Sequence, residues 1–475
     1  MNAKKKGPEN MTKSTQAKEN RPRVLVVGGG YVGMYAALRL QKKLRSGEAR
    51  LTVVDPQPNM TYQPFLPEAA AGSIEPRHVV VPLRRVLRGC EVLAAKVESV
   101  DHDRRVATLC PNEGDAFELP YDVLVMALGS VSRALPIPGL AEAGIGFKTI
   151  GEAIHLRNHV LSRLDVASAS DDPDLRRKAL TFVFVGGGYS GVEAFAELED
   201  MACYATRFYP KLSPPDMRWV LVEASGRILP EVSDSLGAYT VERLRERGME
   251  VRLDTTAESM VDGHVVLSDG EEFDAATVVW TAGVKANPLA SRSGLPVELS
   301  GRILCTPDLR VKGVADAWSA GDASAVPDLS KHESGATCAP SAQHAVRQAR
   351  RLADNVLAAL RGRETTPYIH ADVGSVASLG LYKGVAEVYG VRLKGFPAWL
   401  MHRGYHLGRV PTLGHKGRVL ADWALALLFG REAVSLGQVE HPRREWEAAT
   451  LAQLSDPRPA AMPRARAKAR RHWGG

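Results

Sequence analysis

Gly28, Gly30 and Gly33 stand at G-x-G-x-x-G spacing between the apolar run Val24–Val27 and a helical pattern from Met34 to Leu44. In such a turn the first glycine permits the tight bend from strand to helix. The second lets the backbone approach a pyrophosphate, and the third lets helix and strand pack closely. Gly29, Tyr31 and Val32 complete the turn. The helix N-terminus behind it offers free N–H groups and a positive dipole end. A second apolar run, Leu51–Val54, ends in Asp55, about 20 residues on, where a carboxylate can hold a ribose diol. Strand, glycines, helix, strand and acid together point to a dinucleotide cradle. A glycine-rich turn of another doubly wound fold is the competing reading.

The pattern occurs twice. Val185-Gly186-Gly187-Gly188-Tyr189 repeats Val27–Tyr31 residue for residue, Gly191 repeats Gly33, and the second unit closes on Glu223. Two units mean two dinucleotides, or one dinucleotide and a duplicated fold. Glu223 suits a bare ribose diol and repels a 2′-phosphate, which favours NADH over NADPH, although Arg227 is near enough to blur the preference. Glu193 and Glu197 follow on the second helix; a solvated helix face is the plain alternative for both. The strand ending Ala127-Leu128-Gly129 has its counterpart in Thr281-Ala282-Gly283, so the duplication covers whole domains.

The elements that must position these groups are α/β in alternation, with buried β-branched strands followed by helices. Around Pro67, the prolines at 64 and 67 bracket Phe65 before a small-residue run, which predicts a rigid loop leading into a short helix. A short strand ends in Gly321-Asp322, and Ala342-Gln343 opens a long helical pattern to Leu360 that carries Gln343, Val346 and Arg347 on one side.

The chain of 475 residues, 45% hydrophobic and 24% charged, is long enough for two or three domains with ample core. Its net charge of +7 is concentrated at the ends. Residues 1–23 hold seven Lys/Arg against two acids, and residues 457–475 hold six against none. Both tails are expected to be disordered. No groove-reading motif supports nucleic acid, and no secretory signal is expected in the polar residues 1–20. The five cysteines form no C-x-x-C pair, so neither a zinc site nor a disulfide framework is expected. His402 and His406 stand four apart without a nearby third ligand, so no metal is expected there either. Residues 391–431 carry seven Lys/Arg against Asp422 alone, together with Phe396, Trp399, Leu400, Tyr405 and Trp423. The apolar run Leu420–Phe429 is too short to span a bilayer but fits an interfacial segment on an anionic membrane surface. Packing on the body or on a second subunit, as a homodimer, is the alternative.

In this order, GGGYVG, Ala-Leu-Gly, GGGYSGVE, Trp-Thr-Ala-Gly, Gly-Asp and Ala-Gln-x-Ala-x-x-Gln resemble the two-dinucleotide flavoprotein reductases, most closely the type II NADH dehydrogenases (NADH:quinone oxidoreductases). The resemblance covers roughly residues 22 to 360, and the glutamine motif is the part that points to the quinone branch. It implies a glutathione-reductase-like fold of two Rossmann-like domains plus a C-terminal membrane-surface segment. The activity implied is hydride transfer from NADH to FAD and then two electrons to a membrane quinone, expected to be menaquinone, without proton pumping. The implied location is peripheral, on the cytoplasmic side of the cell membrane.

The resemblance also implies roles. Gly28, Gly30, Gly33 and Asp55 would hold FAD, with Gly129 approaching it and Asp322 bonding its ribityl or phosphate end. Ala342 and Gln343 would sit at the flavin ring and Gln348 near the quinone. Gly186, Gly188, Gly191 and Glu223 would hold NADH, and Glu193 and Glu197 match acids near the nicotinamide or the proton path. Where the family often carries an acid after the second glutamine, Ala349 and Arg350 stand here, which weakens the inference to a quinone. The expected division is a leader at 1–22, FAD domain at 23–147 and 285–390, NADH domain at 148–284, membrane or dimer region at 391–450 and a tail at 451–475. Rival readings are a disulfide reductase, a sulfide:quinone oxidoreductase using Cys338, and a flavoprotein sensing module with little turnover.

Overall fold

The computed structural model describes residues 21–331, 333, 335–370 and 374–435, with 443–444 and 446–448. The chain forms two compact units, Met1–Val434 and Ser435–Gly475. In the second, Arg443 and Glu447 pair at 3.8 Å one helical turn apart. The expected tails, and most of 436–450, lie outside the described residues. All that follows concerns the first unit.

Alternation of short apolar runs with helices yields two parallel sheets. In the first, strand Arg23–Val27 lies between Arg50–Asp55 and Val123–Met126, all parallel. Glu91–Asp101 extends one edge and Ala317–Ser319 the other, while Val106–Pro111 and Phe117–Pro120 add an antiparallel meander. The second sheet is parallel throughout, in the order Gly144–Gly146, Thr277–Trp280, Thr181–Val185, Arg218–Val222, Glu250–Arg252. Strands buried on both faces need apolar residues at every position rather than alternation. Val24 to Val27 and Phe182 to Val185 meet that requirement, and all are buried.

The second sheet begins at Gly144, a few residues before the expected boundary at 148, because Gly144–Gly146 pairs with Thr277–Trp280. The chain returns to the first sheet through Ala317–Ser319 and then forms the long helix Ala342–Leu360, opened by the Ser341 hydroxyl accepting the His344 N–H. A three-stranded antiparallel sheet follows, and its last strand, Val391–Lys394, pairs with Gly384–Val388. The sheet therefore runs through the expected boundary at 390. Helices Phe396–Arg409 and Leu413–Phe429 complete the unit.

Candidate functional site

The first glycine turn is built as its sequence requires. A Cβ on Gly33 would lie 1.7 Å from the Gly28 carbonyl oxygen, and one on Gly28, which sits at φ +104°, would lie 2.3 Å from the Ala127 carbonyl oxygen. Helix Tyr31–Lys43 starts at Gly30 without a side-chain cap. No atom among the described residues comes within 4 Å of a Cβ placed on Gly30. Free N–H groups thus face a surface on which nothing but hydrogen covers the backbone. Asp55 ends the next strand and accepts the Gly29 N–H at 2.6 Å and the Gln57 N–H at 2.7 Å. Burial raises its carboxyl above the ordinary range, against the two N–H groups that lower it. These donors, the bare glycine and the terminal acid fit a dinucleotide cofactor whose pyrophosphate lies over Gly30.

Further groups close on this cradle. Asp322 accepts from the Ser130 hydroxyl at 2.7 Å, and Lys148 Nζ donates to Ser130 Oγ at 2.7 Å. Burial lowers the Lys148 ammonium, with Asp322 and Glu152 opposing the shift. Gly129 turns the chain at φ +64° beside them. Ser130 and Lys148 carry no spacing motif, which is why sequence reasoning passed over them. Pro67 is buried in the short helix Leu66–Ala70. Gln348 is buried, and its side-chain carbonyl accepts the Gly321 N–H at 2.8 Å, so it fixes the Gly321–Asp322 turn.

The second turn copies the first. A Cβ on Gly191 would stand 2.0 Å from the Gly186 carbonyl oxygen, and one on Gly188 would meet no described atom within 4 Å. Glu223 accepts from Gly187 N–H at 2.6 Å and Ser225 N–H at 2.8 Å. Gly283 follows the strand Thr277–Trp280 at φ +90°. The Arg227 guanidinium is held by Asp234 and by the Val232 carbonyl and lines the groove beside Ser225 and Gly226.

Between helices Ala342–Leu360 and Phe396–Arg409 lies a cavity of about 370 Å³. Ala342, Gln343 and Val346 line it from one side, Tyr31, Tyr35 and Tyr62 from another, and Tyr405 and His406 from a third. The predicted shared face of Gln343, Val346 and Arg347 is therefore the face that opens on this cavity. Gln343 Nε2 donates to the Gly374 carbonyl at 2.9 Å.

Glu193 and Glu197 are not on a solvated face. Both are buried. Glu193 accepts the Ser378 N–H at 2.8 Å. Glu197 accepts the Ser378 hydroxyl at 2.8 Å and Arg431 at 3.0 Å. His402 Nε2 stands 3.0 Å from Glu193 Oε1. A third buried acid, Glu68, accepts Arg403 at 2.7 Å and the Trp423 indole N–H at 2.8 Å. The C-terminal helices are thereby joined through charge to the second glycine helix and to the Pro67 helix.

Residues 22–349 match the model of the pyridine nucleotide-disulphide oxidoreductase family. The type II NADH:quinone oxidoreductase of Staphylococcus saprophyticus is 31% identical over 402 residues, covering 84% of this chain and 98% of that protein. The chain belongs to that family. The type II NADH:quinone oxidoreductase Ndh of Mycobacterium tuberculosis is 28% identical over 426 residues, covering 86% of this chain and 89% of its own length. The structure of NDH2 from Plasmodium falciparum in complex with NADH superimposes with a TM-score of 0.79 at 16% identity, covering 87% of this chain and all of that one. That likeness concerns the fold.

Within the family, disulfide-reducing members would need a close cysteine pair. The five cysteines here are free. Burial pushes the Cys338 thiol up to about 11 and Cys203 and Cys305 up to about 12. A neutral thiol is a poor nucleophile, which removes the support for the sulfide and disulfide readings. The chain is a flavoprotein oxidoreductase of the NADH:quinone type.

Proposed function

We propose that the chain holds FAD on the first glycine turn, takes NADH on the second, and reduces a quinone of the menaquinone class in the tyrosine-lined cavity. One observation carries the reading: a single helix, Ala342–Leu360, contacts both the Gly321–Asp322 turn and the cavity. Its Gln348 fixes the Gly321–Asp322 turn of the nucleotide cradle, and its Ala342, Gln343 and Val346 line the cavity. When bound, the flavin supplies the two-electron chemistry that links a hydride donor to a quinone.

The chain's own residues bind, orient and exclude water. Gly28, Gly30, Gly33 and Asp55 seat the FAD pyrophosphate and ribose. Ser130, Asp322 and Lys148 hold its far end, and Pro67, Ala127 and Gly129 bound the space around it. Gly186, Gly188, Gly191, Glu223 and Gly283 seat NADH, whose adenosine end faces the groove lined by Ser225, Gly226 and Ile228. Replacing Glu223 with alanine removes the partner of the ribose diol. KM for NADH is then expected to rise about tenfold or more, in line with one lost charge-assisted hydrogen bond, with a smaller effect on kcat. An unchanged KM in steady-state kinetics would remove NADH from this seat.

The acceptor is apolar, so its cavity has to be reachable from lipid. Leu413, Leu425, Leu427, Leu428 and Phe429 of the last helix are each more than half exposed, and Lys416 and Arg418 lie on the same helix. No helix among the described residues is long and apolar enough to cross a membrane. An exposed apolar helix bearing cations supports peripheral attachment to an anionic surface, and the cytoplasmic face is the side proposed. The Leu428→Ser/Phe429→Ser protein is expected to lose vesicle binding about tenfold or more in flotation with anionic lipid, because each large side chain contributes about 1.5–3 kcal/mol when buried. Unchanged flotation, or a loss of dimer instead, would favour the second-subunit alternative.

A further inference from the structure

His402 and His406 lie between the buried acids and the cavity, and neither has a part in the function described so far. His402 is 1% exposed; its Nε2 stands 3.0 Å from Glu193 Oε1, while its Nδ1 has no hydrogen-bond partner among the described residues. A buried polar group left in that state needs a reason. Its ring centre is 4.6 Å from that of His406, which lines the cavity. His406 Nδ1 stands 3.2 Å from the Tyr62 hydroxyl, itself on the cavity wall. The sequence Glu193, His402, His406 therefore leads from the second glycine helix to the place where the acceptor would sit.

We propose that His406 is the acid that protonates the acceptor quinone, and that the His402–Glu193 pair resupplies its proton. The inference rests on the proposed function. Oxidation of NADH by a quinone consumes one proton beyond the hydride: NADH, H⁺ and quinone give NAD⁺ and quinol. The two electrons come from NADH. An N–H bond of protonated His406 breaks and an O–H bond forms on the quinone oxygen. His402 then passes a proton to His406 and takes up another beside Glu193, and solvent is the net source of that proton, the H⁺ of the balance.

The electrostatics on each side suit these roles. His402 faces Glu193 and Glu197 from one helix, Glu68 from another, and His406 and Arg403 on its own. Burial lowers its pKa, but the three carboxylates outweigh burial and raise it above the ordinary histidine value. His406 faces Tyr62 and Tyr31 across the cavity, His402, Tyr405 and Arg409 on its own helix, Arg347 on the glutamine helix and Lys416 on the last helix. Burial, then His402, then Arg409, hold it well below the ordinary value. A proton that reaches His406 is therefore held weakly there and passes on to a neighbouring acceptor.

The test uses the full-length protein loaded with flavin and reduced anaerobically by NADH. Reoxidation is followed by stopped flow with 2-methyl-1,4-naphthoquinone, which needs protons, and with ferricyanide, which takes electrons alone. In the His406→Gln protein, reoxidation by the quinone is expected to slow about 100-fold, the usual scale of a lost general acid. Ferricyanide reoxidation should hold its wild-type rate. His402→Gln should give the same selectivity and shift the pH profile of the quinone step downward, and imidazole should partly rescue His406→Ala. Equal quinone rates in His406→Gln and wild type overturn the proposal. Should the His406 variants fail to hold flavin, the wild-type protein decides. A solvent deuterium effect on the quinone step and none on the ferricyanide step supports the relay, and no effect on either overturns it. If wild type is reoxidised by ferricyanide but by no quinone, the proposed function itself falls.

Discussion

A Gly30→Val protein is expected to fold like the wild type and to purify without its flavin. The reason is local. A Cβ on Gly30 meets no described protein atom within 4 Å, and the residue sits at φ −70°, which any L-residue adopts. The new side chain therefore has nothing to displace but the pyrophosphate that the free N–H groups of helix Tyr31–Lys43 are arranged to bind. Gly33→Val should behave differently. Its Cβ would stand 1.7 Å from the Gly28 carbonyl oxygen, so the strand and helix must separate and the fold itself suffers. Circular dichroism and bound-flavin absorbance on the two proteins separate the effects. A Gly30→Val protein that keeps its flavin would show that the cofactor does not cross that turn.

The largest stability loss is expected at Arg403. Its guanidinium donates to Glu68 at 2.7 Å and lies 4.1 Å from the Trp399 ring centre and 4.6 Å from that of Trp423. Glu68 is 1% exposed, and burial raises its pKa against the pull of Arg403. Arg403→Ala leaves that carboxylate without its countercharge and opens a space between two indoles. A cost of about 3–5 kcal/mol is the usual scale for removing one partner of a buried pair. Because Glu68 can take up a proton instead, the loss should be smaller at acid pH than at pH 8. The double variant Glu68→Gln/Arg403→Met should recover much of the loss, since an apolar replacement of the pair removes the stranded charge. Urea denaturation of the three proteins measures this. Equal stability of Arg403→Ala and wild type would mean that the C-terminal helices are not held by this contact.

Much of the nucleotide machinery was legible because it depends on local order. Glycine spacing, a preceding strand and a terminal acid lie within one βαβ unit, so Asp55 and Glu223 could be placed without tertiary information. The helix Ala342–Leu360 was legible for the same reason, from its periodicity. What the sequence concealed are contacts between distant residues. Glu68 and Arg403 are 335 apart, and Glu197 and Arg431 are 234 apart. No spacing rule reaches that far. The bond from Gln348 to the Gly321 N–H likewise joins residues 27 apart and follows from the fold, not from the glutamine spacing. The burial of Glu193 and Glu197 did leave a trace. They lie among Val192, Ala194, Phe195, Ala196 and Leu198, and a helix apolar on nearly all sides is a buried helix. The same two acids give His402 and His406 their setting. As a bare i, i+4 pair without a third ligand, the two histidines pointed to no site, and only the fold brings carboxylates to one and the cavity to the other.

The most direct test of the account is anaerobic absorbance of the purified holoprotein, first with NADH and then with a menaquinone analogue in detergent. The account predicts that NADH bleaches the flavin and that the quinone restores its absorbance rapidly. Bleaching that no quinone reverses would contradict the assignment of the tyrosine-lined cavity, and a protein that carries no flavin would contradict the reading of the first glycine turn.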